Sequence, residues 1–462
     1  MRRLVVFGLC CLGLLTFSMG TSAVAVAFPV MTSDLKTTLI MSGWVLTISQ
    51  LVITATLPIA GKLSDILGRK LMFIIALLLY LLGSLGCALS PDIVLLIVFR
   101  FIQGIGGGTM LPAVSGILVD EFPRSRQRVI GLLSSSFSVG AVIGPNLGGW
   151  LVETFDWRSV FWFNVPVALV VLVPSIFLIR PTPREGGKLD MVGAGLFSAM
   201  LSSFLLSITS FGGSDSELSW ISGSAFLAIT AVLLVFFIRY ERRISNPIID
   251  LEILREKPFV AANIFNLGLG FSAVGITSFI PLYAVSVFGM STLVSGAILT
   301  PRSVAAIVTT VIVSMFLVRW GYRKPMIIGS VLTAIAMAVM GMQPVGNVFL
   351  GLPVNSTALL VTVIFIGGLG YGLIMPAANN ACIELMPERV ATITGVRGMF
   401  RFMGSAICIN LVTLVLHYAG DVAKGFIIVF FAIAALALIT IPAIFMMPAG
   451  CFIPVKPKTG KN

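Results

Sequence analysis

Fourteen continuous apolar runs divide the chain, near residues 4–29, 39–60, 71–89, 93–118, 129–152, 159–179, 190–211, 220–239, 259–287, 293–318, 325–343, 356–383, 392–416 and 424–448. A bilayer core is crossed by an α-helix of about 20 residues. No water is available there for backbone polar groups, so only helices or closed barrels satisfy them. A barrel needs strands that alternate apolar and polar residues, and these runs do not alternate. They use most of the 462 residues, and the short connections left over have no room for a soluble catalytic domain. Only 10% of residues are charged, against about 25% in a soluble domain. The predicted class is an all-α integral membrane protein.

The net charge of +12 would suggest nucleic acid in a soluble protein. Here it reads as topology, because Lys and Arg collect on the cytoplasmic side of membrane proteins. With the N-terminus inside, 23 basic residues fall in inner segments and three (Lys36, Arg158 and Lys424) in outer ones. The remaining four, Arg100, Arg302, Arg397 and Arg401, lie inside helices. Both termini are therefore predicted cytoplasmic, in the cell membrane, with an even number of helices. Trp150, Trp162 and Trp220 fall at predicted outer helix ends and Trp320 at an inner end, as an interfacial belt. Arg2 and Arg3 precede an apolar run with no small-residue cleavage site, so that run is predicted to be a retained helix.

The six cysteines (Cys10, Cys11, Cys87, Cys382, Cys408 and Cys451) form no metal spacing, and His417 is the single histidine. They read as small buried hydrophobes. No phosphate loop or HExxH string is present, so ATP-driven transport and zinc proteolysis lack support. No cofactor, metal, nucleic acid or enzymatic activity is expected.

The chain repeats itself. GIGGGTMLPA at 104–113 returns as GLGYGLIMPA at 368–377, an offset of 264. Gly131 follows Pro112, and Gly395 follows Pro376, each by 19 residues. Gly68-Arg69-Lys70 is echoed by Tyr322-Arg323-Lys324. The predicted organisation is a six-helix bundle (1–180), two inserted helices with charged linkers (181–258), and a second six-helix bundle with a short tail (259–462). Repeated halves around a midplane site are typical of secondary transporters.

Three strings carry more than packing. Residues 61–70, GKLSDILGRK, sit in the short inner connection between the second and third helices, where Gly61 and Gly68 permit a tight turn. Asp65 and Arg69 are four apart and face each other if the stretch is helical, and Lys70 follows. Arg100, Gln103, Gly104, Gly107 and Gly108 share one face of the fourth helix. A mid-helix arginine costs at least ~2.5 kcal/mol on insertion scales, so it should face a cavity or a partner; snorkelling to the surface is the competing reading. In the fifth helix Gly131, Gly140, Gly144, Pro145, Gly148 and Gly149 form a string whose spacing of four lets two helices touch backbones.

The first string matches the loop signature G-x-L-[SA]-D-x-x-G-R-[KR] of the major facilitator superfamily. R-x-x-Q-G-x-G-G from Arg100 resembles its fourth-helix motif. G-x8-G-x3-G-P-x2-G-G from Gly131 resembles the antiporter motif of its exporters, and 157–166 resembles the family's start of helix six. With fourteen helices, the chain resembles the drug:proton antiporter-2 branch over nearly its whole length. The resemblance implies a major-facilitator-like fold and proton-coupled, alternating-access export of amphipathic small molecules, drug or metabolite. Asp65 is expected near the inner end of a second-bundle helix, at 392–400 of the thirteenth or in the neighbour of the tenth, and the resemblance implies that such a contact holds the outward-open state.

The sequence departs from that branch at one point. Members often carry an acid in helix one, some nine residues before an Ala-Leu-Pro triplet. Here the triplet is Ala27-Phe28-Pro29 and the acid's position is Gly20. None of the 18 acids is predicted mid-membrane. Arg302 and Arg401 are expected to face the interior, and Arg397 to reach the inner surface. Trp44, Asn263, Asn266, Asn379 and Asn380 complete an expected polar and aromatic lining, with interhelical hydrogen bonding the alternative for each asparagine. A cavity holding arginines without carboxylates should prefer neutral or anionic amphiphiles to cations. Expected partners are a small amphipathic substrate, the lipid bilayer and, by the resemblance, protons; the chain is expected to be a monomer. A transport-inactive sensor or assembly protein on the same fold, or an exporter of anionic or lipid-like metabolites, is the alternative.

Overall fold

The computed structural model describes residues 2–122, 126–181, 190–211, 217–244, 256–343, 348–349, 352–353, 355–385 and 390–447. The first group of helices is α1 (Arg2–Asp34), α2 (Leu39–Leu67), α3 (Arg69–Leu89), α4 (Ile93–Glu121), α5 (Arg126–Thr154) and α6 (Ser159–Leu178). Next come α7 (Met191–Phe211) and α8 (Glu217–Glu241). The last group is α9 (Lys257–Leu269), α10 (Ile280–Phe288), α11 (Thr292–Ala297), α12 (Leu299–Trp320), α13 (Arg323–Gly341), α14 (Ser356–Leu385), α15 (Val390–Tyr418), α16 (Val422–Ile439) and α17 (Ile441–Phe445). A two-residue antiparallel pair, β1 (Val348–Phe349) and β2 (Leu352–Pro353), lies between α13 and α14.

Among the described residues, 13 helical rods are long and apolar enough to cross a membrane, the α9–α10, α11–α12 and α16–α17 stretches counting as one rod each. The 29 residues of α5 add a fourteenth of that length, about 43 Å at 1.5 Å per residue. Trp150, Trp162, Trp220 and Trp320 are each about half exposed. On α8, Ile221, Leu227, Val232 and Phe236 face outward, a surface suited to lipid.

Two sequence expectations are corrected. The connection at 61–70 is not a loop of that length. The helix runs on past Pro58 and Gly61, so α2 continues through Leu67 and α3 begins at Arg69. The whole turn is made at Gly68, whose φ of 97° suits glycine. Gly61 is helical, with open space where a Cβ would stand. The run at 259–287 is also not one regular helix. It passes from α9 through a π-helical turn, Gly270–Gly275, and a 3-10 turn, Ile276–Phe279, into α10. Gly268, Gly270 and Gly275 weaken the helix there, and Pro281 at the start of α10 supplies no N–H.

The repeat is visible as packing. Gly104 and Gly108 of α4 lie against Val52, Ile53 and Thr56 of α2, while Gly106 lies against Ala76 and Tyr80 of α3. At the offset of 264, Gly368 and Gly372 of α14 lie against Arg302, Ala306 and Thr309 of α12, and Gly370 lies against Gly329 and Thr333 of α13. Likewise Gly140 of α5 abuts Leu15 and Ser18 of α1, and Gly404 of α15 abuts Leu267 of α9. Equivalent glycines admit equivalent neighbours, so α1–α6 and α9–α17 are two versions of one six-helix bundle. The hairpin of α7 and α8 is tied by Ser203 and Ser207, which donate to the carbonyls of Phe226 (2.9 Å) and Gly223 (2.8 Å). Its α7 leans on α2 and α15, where the two bundles meet.

Candidate functional site

The end of the molecule bearing Arg2 is laced by basic side chains. Arg69 donates to the Gly116 carbonyl (2.9 Å) and Asp120 (2.5 Å), and Lys70 to the Ile176 carbonyl (2.6 Å). Arg2 bonds both oxygens of Glu121 (2.7 and 2.9 Å) and the Leu178 carbonyl (2.9 Å). In the second bundle Arg323 donates to the carbonyls of Phe445 (2.8 Å) and Met447 (2.9 Å). The basic strings that open α3 and α13 thus bind the carbonyl-rich ends of α6 and α17, where a positive charge is stabilised. The side chains of Asp65 and of residues 383–395 lie outside the described residues, so the Asp65 contact expected near 392–400 falls largely among them.

Arg100 is 3% exposed and bonded through two of its nitrogens. Its Nε donates to the Val45 carbonyl of α2 (3.1 Å) and its Nη1 to Gln103 Oε1 (2.6 Å). Gln103 Nε2 donates to Ser84 Oγ of α3 (2.8 Å), and Ser84 donates to the Tyr80 carbonyl (2.7 Å). The guanidinium also stands 5.9 Å from the Phe161 ring of α6. Arg100 therefore neither snorkels nor lines a cavity. It is the polar hub joining α2, α3, α4 and α6.

The second bundle holds its arginines differently. Arg302, Arg397 and Arg401 are each half-buried. Arg302 stands 5.4 Å from the Tyr371 ring of α14. Arg401 places Nη1 3.7 Å from Met375 Sδ, and its Nε is buried without a hydrogen-bond partner. Asn263 and Asn266 are buried on α9 and donate back to the carbonyls of Phe259 (2.9 Å) and Ala262 (2.7 Å); Asn266 also approaches Cys382 Sγ at 3.6 Å. Asn380 is exposed and bonds the Pro376 carbonyl (2.8 Å). The side-chain oxygens of Asn263 and Asn379 are buried and unpartnered. Trp44 packs on the same apolar cluster as Tyr371, Met375 and Met403.

The bundles meet away from the basic end. Gly149 of α5 lies against Thr292 and Leu293, and Gly296 against the Pro145 carbonyl. Asn146 donates to Thr300 Oγ1 (2.5 Å), and Glu153 accepts from the Leu293 N–H (2.7 Å). On its other face α5 packs Gly140, Gly144 and Gly148 on α1. Gly131 lies in α5 outside the residues whose side-chain surroundings are described. The antiporter-like string thus serves one intrabundle contact and one interbundle contact. A cleft of about 570 Å³ opens at this end between α1 and α10, beside Pro29, Lys36, Leu282 and Ser286.

Sequence reasoning missed two features. Asn410 donates to Thr47 Oγ1 of α2 (3.2 Å) and accepts from Thr209 of α7 (2.8 Å), so one amide joins both bundles and the inserted hairpin. A lone asparagine in the apolar run around it was the available signal. Asp190 and Glu241, which fall in the charged segments 180–190 and 240–258 flanking the inserted pair, are 7% and 3% exposed. Asp190 Oδ1 accepts from the Gly193 N–H (2.8 Å) and the Tyr240 hydroxyl (3.0 Å). Both carboxylates approach Gly193, where only a missing side chain leaves them room.

Gly20 sits where the resemblance implies an acid. A Cβ there would press on the Tyr80 hydroxyl and the Asn164 amide (2.8 Å), so the volume is already filled from α3 and α6.

Relatives of this chain agree with the architecture. "Multidrug transporter protein MdtP" of Bacillus subtilis is 28% identical over 426 residues, covering 90% of this chain and 75% of the relative. "Multidrug resistance protein B homolog" of Mycobacterium tuberculosis is 29% identical, covering 89% and 76%. "Methylenomycin A resistance protein" of Streptomyces coelicolor is 26% identical, covering 91% and 87%. Among solved structures, a POT family transporter in complex with a thioalcohol-conjugated peptide aligns with a TM-score of 0.69 at 16% identity, covering 94% of this chain and 95% of that one. The nucleoside transporter NupG aligns with a TM-score of 0.63 at 15% identity, covering 96% and 99%; these two likenesses concern the fold alone. The model of the Major Facilitator Superfamily matches residues 10–408 and again 271–461, and the chain belongs to that superfamily.

Proposed function

We propose that this chain is a secondary-active exporter of amphipathic small molecules, drug or metabolite, working by alternating access as a monomer in the cell membrane. The observation that carries the reading is the layout of polar ties between two equivalent bundles. Asn146–Thr300, Glu153–Leu293 and Thr47–Asn410 all fall in the half away from Arg2. Two rigid repeats tied at one end rock about the seam, which is how repeated transporters expose a central site to each side in turn. The relatives named for multidrug transport or resistance support the cargo class. The basic end is assigned to the cytoplasm with both termini, on the inner excess of Lys and Arg. Residues 1–180 and 259–462 are taken as the moving bundles and 181–258 as the inserted hairpin with its linkers. Proton coupling is proposed on the resemblance alone. With Gly20 in the helix-one position, its carriers are assigned to peripheral acids such as Glu153 or to the substrate.

The test is dye efflux from everted vesicles and counterflow in proteoliposomes, with and without a pH gradient. Export of at least one amphiphile from a broad panel is expected. Binding-dependent stabilisation with no flux for any compound would identify a transport-inactive sensor instead.

A further inference from the structure

The embedded arginines are not equivalent. A guanidinium presents five N–H donors. Arg100 uses two of them, Nε on a carbonyl and Nη1 on an amide oxygen. Arg401 has a thioether at 3.7 Å, a weak acceptor, and the face of Phe402 at 5.4 Å, while its Nε is buried with no partner. Arg397 lies one helical turn earlier and Ser405 one turn later, so all three share a stripe of α15. Ser405 is fully buried and its hydroxyl also lacks a partner. Neither Arg397 nor Arg401 forms an ion pair among the described residues.

On α14, Tyr371, Met375 and Asn379 form a matching stripe at the same spacing. The Arg302 guanidinium from α12 stands 5.4 Å from the Tyr371 ring. Asn379 adds another buried polar atom without a partner. The α9–α10 rod leaves α-helical form beside this group, where Gly270 touches the Arg401 carbonyl and the Ser405 N–H. Short π-helical departures recur at functional sites because they re-aim nearby groups.

Positive charges gathered in a low-dielectric setting repel one another. One anion offering two oxygens would take up the donor that Arg401 leaves without a partner, and a guanidinium fork matches a carboxylate in two parallel bonds. We propose that Arg302, Arg397 and Arg401, arranged around Tyr371 and Met375, bind the carboxylate end of an amphipathic substrate. The apolar body of that substrate packs on the cluster containing Trp44, Tyr371, Met375 and Met403. This deepens the exporter reading and rests on it for the identity of the ligand as cargo.

The test uses the purified full chain, with pyrenebutyrate as probe, its neutral methyl ester, and a pyrene trimethylammonium of similar size. Wild type should bind the acid at least tenfold more tightly than the ester, about 1.4 kcal/mol, and the cation most weakly. Arg401→Gln should erase the preference for acid over ester with an unchanged melting temperature, and Arg401→Lys should keep part of it. Arg302→Gln and Arg397→Gln should each reduce it. Equal affinity for acid and ester in wild type, or a preference that survives in the triple glutamine variant, overturns the site. Vesicle efflux of the same compounds separates this from the exporter reading. Export of acid and ester without discrimination removes the anion site and leaves the exporter standing. Arginine-dependent binding of the acid with no flux of any probe removes the exporter and leaves the site.

Discussion

Glu153 on α5 accepts a 2.7 Å hydrogen bond from the backbone N–H of Leu293, in the first turn of α11. The first N–H groups of a helix have no partner inside it, and Ser291 already caps α11 by accepting from the Val294 N–H at 3.4 Å. A carboxylate from the other bundle therefore completes the cap of this one. Gly149 and Gly296 bring the two backbones close enough for the bond to form.

Removing that carboxylate should loosen the closure. The site is exposed, so the bond contributes about 1 kcal/mol, roughly a fivefold change in a two-state population. In Glu153→Ala, spin labels at Thr154 and Ser286, on a background without native cysteines, should show a larger population of long distances. The same distance distribution in wild type and variant would mean that the bond does not hold this end shut.

The repeat makes a second prediction. A Cβ on Gly106 would meet the Ala76 carbonyl at 2.6 Å, and one on Gly370 would meet Thr333 Oγ1 at the same distance. Gly106→Ala and Gly370→Ala should each destabilise by about 1–3 kcal/mol through overpacking, seen as a lower melting temperature in detergent. Gly61→Ala should stabilise slightly or do nothing, since Gly61 is helical and faces open space. A Gly370→Ala variant as stable as wild type would break the equivalence.

Much of this was legible in the sequence because bilayer-length apolar runs and the 264-residue repeat are one-dimensional signals. The glycines at 104–108 and 368–372 announced close packing, and the structure supplies its partners. The environment of a polar group is less legible. Arg100 and Arg401 look alike as isolated charges in apolar runs, yet Val45 and Gln103 engage one while a thioether is the near acceptor of the other. Asp190 and Glu241 look like linker charges because their burial depends on α7 meeting α8, which no local pattern records. The break at Gly270–Gly275 was hidden because glycine is common in membrane helices and the run stays apolar throughout.

The Arg100 hub should behave as a unit. Arg100→Ala leaves the Val45 carbonyl and Gln103 without their donors, and should cost about 1–3 kcal/mol. Replacing two hydrogen-bonding partners by apolar groups of similar shape is far milder than removing one. The pair Arg100→Leu and Gln103→Leu should therefore lose less than the sum of its single variants, by melting temperature in a double-mutant cycle. Strict additivity would contradict the network.

Gly20 provides the most direct test of how this chain differs from the branch it resembles. Tyr80 donates to the Thr16 carbonyl at 3.3 Å, and Asn164 donates to the Val160 carbonyl at 3.1 Å. Both side chains are at most 2% exposed, and Asn164 Oδ1 has no partner. An added side chain at position 20 must displace one of them. Gly20→Ala alone should therefore cost about 1–3 kcal/mol, and Gly20→Asp more, because a larger and polar side chain must enter a volume that Tyr80 and Asn164 already fill. Adding Asn164→Ala vacates volume while leaving the Tyr80 hydroxyl as a donor. The double variant of Gly20→Asp and Asn164→Ala should regain most of the melting temperature lost by Gly20→Asp. If Asn164→Ala gives no recovery, or if Gly20→Asp is as stable as wild type, Tyr80 and Asn164 are not what keeps an acid out of α1.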